Sequence, residues 1–235
     1  MILSIHQPSY FPWLGLLHKI ANSDVYLVMD EVQLTDSACQ HRNLFLSADG
    51  KAKHLTIPFN RKNYLRRPFK ELEIIDQSWR VSHLNFIKNG YRKHQYYDEV
   101  FPILDDFFAR EYPLLIDAVM ASMWISLSLF DVKAQLVYQS NMDYDKTLRR
   151  GDLVVSLVRA TGASCYLSGT GAKAYLDESL FVGGLSLQYD YFVHPVYPQD
   201  NASDFISGLS CLDALFNLGI EGARSLIKQE RRGTA

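Results

Sequence analysis

The first thirty residues alternate between apolar runs and polar breaks in the order strand, turn, helix, strand. Residues 2–5 form a short apolar strand, and residues 14–21 repeat apolar side chains at helical spacing. Pro12 is predicted in the first helical turn, where its missing N–H is not needed. Residues 25–29 are continuously apolar, as in a strand buried on both faces. This compact strand–helix–strand unit predicts the start of a parallel sheet.

The middle of the chain has a different pattern. Residues 52–58 and 69–75 are predicted strands, and helical patterns follow later at 98–110 and 114–130. A helix with Ser78 as its predicted N-cap lies between them. The apolar face of that helix carries Trp79, His83, Phe86, Ile87 and Tyr91.

The last hundred residues alternate again, in the order strand, helix, strand, extended segment and helix. The predicted ranges are 132–136, 145–161, 164–167, 189–194 and 210–218. The fold class is therefore α/β, a mainly parallel sheet with flanking helices and a helical block in the middle. No repeat or linker divides the chain, which predicts a single α/β domain over residues 1–235, with residues 78–130 as a candidate inserted helical subdomain.

Composition excludes several classes of protein. The chain is 48% hydrophobic and 21% charged, with a net charge of −2, so it is neither disordered nor a general binder of nucleic acid. No apolar run reaches the roughly 18–20 residues of a membrane span, and no signal peptide opens the chain. Cys39, Cys165 and Cys211 are interpreted as ordinary thiols of a cytoplasmic protein. No histidine or cysteine spacing indicates a metal, and no cofactor is expected.

A polar and aromatic cluster, His6-Gln-Pro-Ser-Tyr-Phe-Pro-Trp-Leu-Gly15, follows the first predicted strand. In an open parallel sheet, ligands bind beyond the carboxyl ends of the strands. His6, Gln7 and Tyr10 are therefore candidate site residues, and the N-terminus of the next helix is a candidate phosphate position. The alternative is a proline-stiffened turn whose aromatic side chains belong to the core.

Asp30 and Gln33 follow the second predicted strand, on the same sheet edge as His6. An aspartate beside a histidine fixes its tautomer and raises its basicity, which is the pairing that a general base uses. Asp30 is therefore the predicted orienting partner of His6. The alternative is a turn residue, because carboxylates often follow strands for that reason.

Donor-rich groups follow in the middle of the chain. Arg42 suits bidentate binding of a phosphate or carboxylate, with Asn43 beside it, although a solvated surface arginine is the alternative. The basic loop 60–67 is given only a secondary role, because a charge run is usually solvated. His83 is a candidate pocket residue, with a satisfied core histidine as the alternative.

The C-terminal third adds three candidates. Ser168 and Gly169 begin a small-residue turn after a strand, and the N–H groups of such a turn can cradle an anion with Lys173 nearby. His194 follows the extended segment at 189–194. Neither the Walker A spacing nor GxGxxG is present.

These motifs resemble the WbqC-like protein family from residue 2 to about residue 219. The matching motifs are His6-Gln-Pro-x-Tyr-Phe-Pro-Trp-Leu-Gly15, Ser23-Asp-Val25, Asp30-x-Val-Gln33, Arg42-Asn43, Leu55-Thr-Ile-Pro58, Trp79-x3-His83, Tyr166-Leu-Ser-Gly169, Tyr175-Leu-Asp177 and His194-Pro-x-Tyr197 with Gln199. The resemblance implies a role in bacterial surface polysaccharide biosynthesis, chiefly that of O-antigen. It also implies a glycyl- or acyl-transferase activity on amino sugars.

This chain departs from the family pattern at a few positions. Glu31 is a conservative change at an acidic position, whereas His41 stands where asparagine is usual, and Asp36 and Ser37 stand where a basic residue is usual. The resemblance therefore extends to Arg42 and Asn43 but not to His41. The opening is also loosely similar to HIGH-type nucleotidyl enzymes, although the HxGH pair is missing and Pro12-Trp-Leu-Gly15 stands in its place.

The leading hypothesis is a transferase that moves an aminoacyl or acyl group onto an amino sugar of a nucleotide-linked or lipid-linked glycan precursor. His6 is its predicted base, and Gln7, Tyr10 and Asn43 are predicted oxyanion donors. Arg42 and the turn at 168–171 are predicted to bind phosphate. The acyl donor is left open. The alternatives are a non-catalytic protein that binds the precursor or a partner enzyme, and a nucleotide-dependent ligase of the nucleotidyl type.

The sequence predicts one pocket at the carboxyl edge of the sheet, with His6 hydrogen-bonded to Asp30. The side chains expected to line it are His6, Tyr10, Asp30, Gln33, Arg42, Asn43 and Ser168. Coordinates of the folded chain test this expectation, since side chains that point to opposite faces of the sheet would contradict it.

Overall fold

A computed structural model of the protein describes residues 1–34 and 40–228. Cys39, Asp36 and Ser37, three positions singled out in the sequence, lie outside these ranges. Cys165 and Cys211 are buried free thiols. Within the described ranges, no helix is long and apolar enough to cross a membrane.

Strands account for the centre of the fold. The described residues form β1 (Ile2–His6), β2 (Val25–Val28), β3 (Arg42–Leu46), β4 (Ala52–Thr56), β5 (Gln135–Tyr138), β6 (Cys165–Gly169) and β7 (Ser186–Asp190). Five of them make one parallel sheet in the order β5-β2-β1-β6-β7, while β3 and β4 form a separate antiparallel pair. In the central strand, Leu3 pairs with Val25 on one side and with Tyr166 on the other. The predicted α/β fold with a parallel sheet is confirmed.

Helices make up the rest of the regular structure. They are α1 (Leu14–Ala21), α2 (Trp79–Tyr91), α3 (Tyr97–Ala109), α4 (Leu115–Leu129), α5 (Arg150–Ala160) and α6 (Cys211–Leu226). Helices α2, α3 and α4 form the predicted helical block. The face predicted for α2 points inward, since Trp79, His83 and Tyr91 are buried and Phe86 is half-buried.

The two faces of the sheet pack against different helices. Val25 and Leu27 of β2 lie in one apolar cluster with side chains of α5. Tyr26 and Val28, the alternate residues, lie in a larger cluster with side chains of α1, α4 and α6. Successive side chains of a strand point to opposite faces, so one continuous apolar run serves both cores.

The predicted strand at 69–75 is wrong. Phe69–Glu71 is a single 3-10 turn, and Glu73 makes only an isolated bridge to Leu114. Leu72 and Ile74 are buried while their neighbours are exposed, so buried and exposed side chains do alternate as in a strand. The segment nevertheless pairs with no neighbouring strand in the described ranges, so it forms no ladder of backbone hydrogen bonds. The pairing partner of residues 52–56 is β3, a strand that was not predicted.

Several predicted boundaries also move. Ser78 does not cap α2, because its hydroxyl donates to the Asp76 carboxylate at 2.7 Å. Strand β5 ends two residues later than predicted, and α5 begins at residue 150 instead of 145. Helix α6 continues to residue 226 through a kink at Gly219, whose φ of +70° lies in the left-handed region that favours glycine.

Asn43 holds the turn between β1 and α1. Its side-chain Nδ2 donates to the carbonyl oxygens of Tyr10 and Phe11, at 3.1 and 2.7 Å. The Phe11 N–H donates to the Ser122 hydroxyl at 3.0 Å, and Phe11 has a left-handed φ of +37°. Pro12 therefore lies in this turn and precedes the helix, which begins at Leu14, instead of occupying its first turn.

Replacing Asn43 with leucine tests this arrangement. The variant leaves two buried carbonyl groups unpaired, so we expect the free energy of unfolding to fall by about 2 to 4 kcal/mol. Chemical denaturation followed by circular dichroism measures the change. Asn85→Ala, at an exposed position of α2, is the control and should stay within about 0.5 kcal/mol of the wild type. A loss below about 1 kcal/mol in Asn43→Leu would contradict the assigned role.

Candidate functional site

A cleft runs along the carboxyl edge of the parallel sheet. It has two arms, of about 510 and 850 Å³, and both are lined by Ile5, His6, Tyr166 and Tyr175. Strands β2 and β5 lie on one side of β1, and β6 and β7 lie on the other, so the direction of the crossovers reverses beside β1. Open α/β sheets bind ligands at such reversal points.

The smaller arm, here called the aromatic arm, lies beside β6 and β7. Trp13, Tyr191 and Phe192 line it together with the shared tyrosines, and Ser168 and Gly169 lie at its floor. The Trp13 indole packs against Gly15, where a Cβ would lie 2.1 Å from the ring. The indole therefore fills the position over the first turn of α1 that the sequence predicted for a phosphate.

The larger arm, here called the basic arm, lies beside β2 and the start of α5. Its lining includes five cationic side chains, Arg66, Arg67, Lys146, Arg149 and Arg150. Gln7 and Gln33, both predicted site residues, also line this arm. The Gln7 amide lies 3.5 Å from the Gln33 carbonyl oxygen, so the ends of β1 and β2 meet here as expected.

His6 lies where the two arms meet and is accessible to solvent. Its Nδ1 is 2.7 Å from the carbonyl oxygen of Gln7. Because a carbonyl only accepts, Nδ1 carries the proton and Nε2 keeps its lone pair. Enclosure by the cleft walls, assisted by the nearby Lys19 ammonium, lowers the pKa of His6 to about 4, against the smaller opposite effect of the Gln7 bond. The ring is neutral at pH 7.

The predicted hydrogen bond between His6 and Asp30 is absent. The Asp30 carboxylate is buried and accepts from the backbone N–H and the hydroxyl of Ser140, at 2.9 and 2.6 Å. Asp30 therefore fixes the loop after β5 against the end of β2. The orienting group of His6 is the backbone carbonyl of Gln7, which sequence cannot distinguish from any other carbonyl.

Glu31, instead of Asp30, is the acid that faces the basic arm. Its carboxylate accepts from Lys70 at 2.7 Å, from Tyr144 at 2.8 Å and from Lys146 at 3.3 Å. Partial burial alone would raise the pKa of Glu31, but these three donors outweigh it and lower the pKa to about 2. Glu31 is thus a permanent anion that ties three segments of the chain together.

Lys19 is a cleft residue that the sequence analysis did not identify. It is 5% exposed, and its ammonium donates to the Ile5 carbonyl at 3.2 Å. Burial lowers the pKa of Lys19 to about 8, and the Asp190 carboxylate partly opposes that shift. Asp190 itself lies 3.0 Å from Nδ1 of His18. The available signal was that Lys19 is the only side chain of α1 with a fixed charge.

Tyr10 and His83 belong to the core instead of the cleft. The Tyr10 hydroxyl and Nδ1 of His83 are 3.0 Å apart, and both side chains pack around Trp79. Burial lowers the pKa of His83 to about 4, although a bond to the Thr56 backbone opposes it. The predicted substrate contacts of both residues are corrected, and the aromatic-core alternative holds for this part of the turn.

Arg42, Asn43 and His194 also lie away from the cleft lining. Arg42 is on the separate β3–β4 pair, and Asn43 is occupied by the turn described above. The His194 ring packs among Phe192, Tyr197 and Phe205 with Nδ1 at 3.0 Å from the Pro195 oxygen. The side chains of Asn43 and His194 are held by tertiary contacts that spacing along the chain does not reveal.

The described part of the chain contains no group of three or more histidine, cysteine, aspartate or glutamate side chains arranged to hold a metal ion. The groups that line the cleft are a neutral histidine, several cations and aromatic walls. These features define an open α/β protein with a cleft at the carboxyl edge of its parallel sheet.

Comparison with known proteins narrows that class. The family model described as "WbqC-like protein family" matches residues 7–225, and the chain belongs to this family. The uncharacterized protein Rv1507c of Mycobacterium tuberculosis is similar, with 24% identity over 229 residues that cover 93% of this chain and 94% of that protein. No solved structure matches the chain at a significant level.

The state of His6 can be measured by NMR titration of the histidine ring signals. We expect its pKa near 4, with the proton on Nδ1 above that pH. Lys19→Met removes a nearby positive charge that disfavours the imidazolium, so the pKa of His6 should rise. It should stay below the ordinary value of about 6.5, because enclosure remains the larger cause. A wild-type pKa of 6 to 7 would contradict the assigned effect of enclosure on His6.

Proposed function

We propose that the cleft is the active site of a transferase that moves an aminoacyl or acyl group onto the amino group of a sugar. The acceptor is an amino sugar in a precursor of bacterial surface polysaccharide, chiefly O-antigen. The pathway is what membership of the WbqC-like family implies. The observation that carries the reaction class is His6, a neutral imidazole with an unprotonated Nε2 at the junction of the two arms.

The low pKa of His6 determines the step of the reaction at which its Nε2 can accept a proton. A base this weak does not remove a proton efficiently from a free sugar ammonium. After the free amine attacks the acyl carbonyl, however, the nitrogen of the tetrahedral intermediate is far more acidic. Nε2 then takes one proton from that nitrogen, the C–O or C–S bond to the donor's leaving group breaks, and the imidazolium returns the proton to the leaving group.

Lys19 and Gln7 flank His6 in this scheme. The buried Lys19 ammonium adds to the effect of enclosure in lowering the pKa of His6, and it supplies positive charge beside the developing oxyanion. The Gln7 carbonyl holds the reactive tautomer of the ring, and the Gln7 amide lies in the basic arm. Tyr10 and Asn43, the oxyanion donors expected from sequence, are replaced in this role because their polar atoms are engaged in the core.

The aromatic arm is suited to a sugar ring. Trp13, Tyr191 and Phe192 offer apolar faces, while Ser168 and Asp190 offer polar groups at the floor. Pockets with mostly apolar walls and a few placed polar groups are the usual form of small-molecule sites. The amino sugar is therefore placed in this arm, with its nitrogen toward His6.

A nucleotide-dependent ligase is a second candidate, favoured by one observation. If the five strands of the parallel sheet are numbered by their order in the chain, their order across the sheet is 3-2-1-4-5. Nucleotide-binding α/β sheets share this order. Such a ligase would release AMP from ATP during the reaction, which the transferase would not do. An assay for AMP distinguishes the two.

Mass spectrometry of surface polysaccharide tests the transferase in a deletion strain. Loss of one acyl or aminoacyl group from an intact glycan backbone is expected. Wild-type protein should restore the group, and His6→Ala should reduce it at least a hundredfold, in line with the loss of a general base. His54→Ala, at an exposed histidine of β4, is the matched control and should restore it fully.

Other results would redirect the proposal. Full restoration by His6→Ala, at equal protein levels, would favour a non-catalytic protein that binds the precursor or a partner enzyme. An unchanged polysaccharide in the deletion strain would contradict the assigned pathway. Equal unfolding free energies of His6→Ala and the wild type are required before a loss of modification in this variant is assigned to lost catalysis.

A further inference from the structure

We propose that the basic arm is a diphosphate subsite, which binds the phosphate groups that link the sugar substrate to its carrier. This inference rests on the proposed function, because it names the chemical class of that substrate. It deepens the assignment by giving the two arms different tasks. The aromatic arm holds the sugar, and the basic arm holds the activated end of the molecule.

The charge of the basic arm is strongly one-sided. Five cationic side chains line it against the single carboxylate of Glu31, whereas the whole chain has a net charge of −2. Such a concentration of like charges gives the arm a positive potential that attracts anions. A concave surface focuses that field, so the arm is suited to a small, multiply charged anion.

Three of the five cations are already engaged by the protein. Lys146 pairs with Glu31, and Arg67 bonds the Glu71 carbonyl and lies 3.5 Å from the Glu73 carboxylate. Arg149 donates to the carbonyl oxygens of Lys146 and Leu148, at 2.6 and 2.7 Å. These contacts hold the walls of the arm in place.

Arg66 and Arg150 remain for a ligand. Both side chains are exposed, and neither guanidinium has a hydrogen bond or an ion pair with another residue in the described ranges. They come from different segments, the basic loop 60–67 and the first residue of α5, and converge on the same arm. A guanidinium binds a phosphate with two parallel hydrogen bonds, so two of them match the two phosphates of a diphosphate.

The start of α5 adds a weaker attraction for the same ligand. Arg149, at the N-cap position, gives no side-chain cap, so the first N–H groups of the helix are not satisfied by it. Gly151 is buried with a Cβ position only 3.0 Å from the Tyr175 carbonyl, so no side chain fits between this turn and the cleft wall. Asp152 also lies in this first turn and partly offsets the attraction.

The position of His6 links the subsite to the reaction. Because His6 lines both arms, a sugar joined to a diphosphate in the basic arm extends past the imidazole into the aromatic arm. A bound anion also favours the imidazolium, so occupancy should raise the pKa of His6 toward its ordinary value. The substrate would then turn a weak base into a better one.

Calorimetric titration with inorganic pyrophosphate, uridine diphosphate, uridine monophosphate and farnesyl diphosphate tests the subsite. Diphosphates should bind at least tenfold more tightly than the monophosphate, and the affinity should fall as salt rises. The variant Arg66→Gln/Arg150→Gln should weaken pyrophosphate binding at least tenfold. The control Arg92→Gln/Lys93→Gln, which removes the same charge from exposed positions beyond α2, should change it less than twofold.

The same titrations distinguish the source of the diphosphate. Tighter binding of uridine diphosphate than of pyrophosphate supports a nucleotide carrier, and tighter binding of farnesyl diphosphate supports a lipid carrier. NMR titration should show the pKa of His6 rising when pyrophosphate is added. No binding of any diphosphate, or equal losses in the two double variants, overturns the subsite.

Failure of the subsite and failure of the proposed function give different results. If pyrophosphate binds through Arg66 and Arg150 but His6→Ala restores the glycan fully, the subsite stands and the transferase fails. If His6→Ala abolishes the modification while Arg66→Gln/Arg150→Gln retains both pyrophosphate binding and modification, the subsite alone fails.

Discussion

The double pairing of β1 is the constraint on which the rest of the structure depends. This strand is hydrogen-bonded to β2 along one edge and to β6 along the other, so its position and direction are fixed on both sides. Its carboxyl end consequently lies at the point where the crossovers reverse. His6, the last residue of the strand, is held there by the sheet itself, and both arms of the cleft open from it.

The pKa of each titratable group in the cleft depends on what surrounds it. Glu31 has three donors and stays ionised, whereas Lys19 is enclosed by apolar walls and binds its proton less tightly. His6 lies beside the Lys19 ammonium and remains neutral. One cleft therefore contains a permanent anion, an easily deprotonated amine and an uncharged imidazole. A group-transfer reaction needs such differences, because its steps require both proton acceptors and fixed charge.

The sequence was informative where a local pattern decides the structure. The apolar runs of β1 and β2 predicted the parallel sheet, and the position of His6 after a strand predicted its place at the sheet edge. Asp30 was misassigned because its partner, Ser140, lies on a distant loop. Tyr10 and Asn43 were misassigned for a similar reason, since the packing of α2 and β3 draws them inward. Arg66 and Arg150 meet only after folding, and nothing in their separate segments indicates that they share a cavity.

The order of strands in the sheet also has a consequence for folding. Strands β1 and β2 can pair after a short connection, but β6 joins β1 only after a loop of more than a hundred residues closes. Contacts so distant in sequence slow folding, because the entropy of loop closure is lost before the contact forms. Until β6 arrives, one edge of the central strand has unpaired backbone groups that another chain could pair with. The side of β1 that later pairs with β6 is thus exposed to aggregation while the chain is being synthesised.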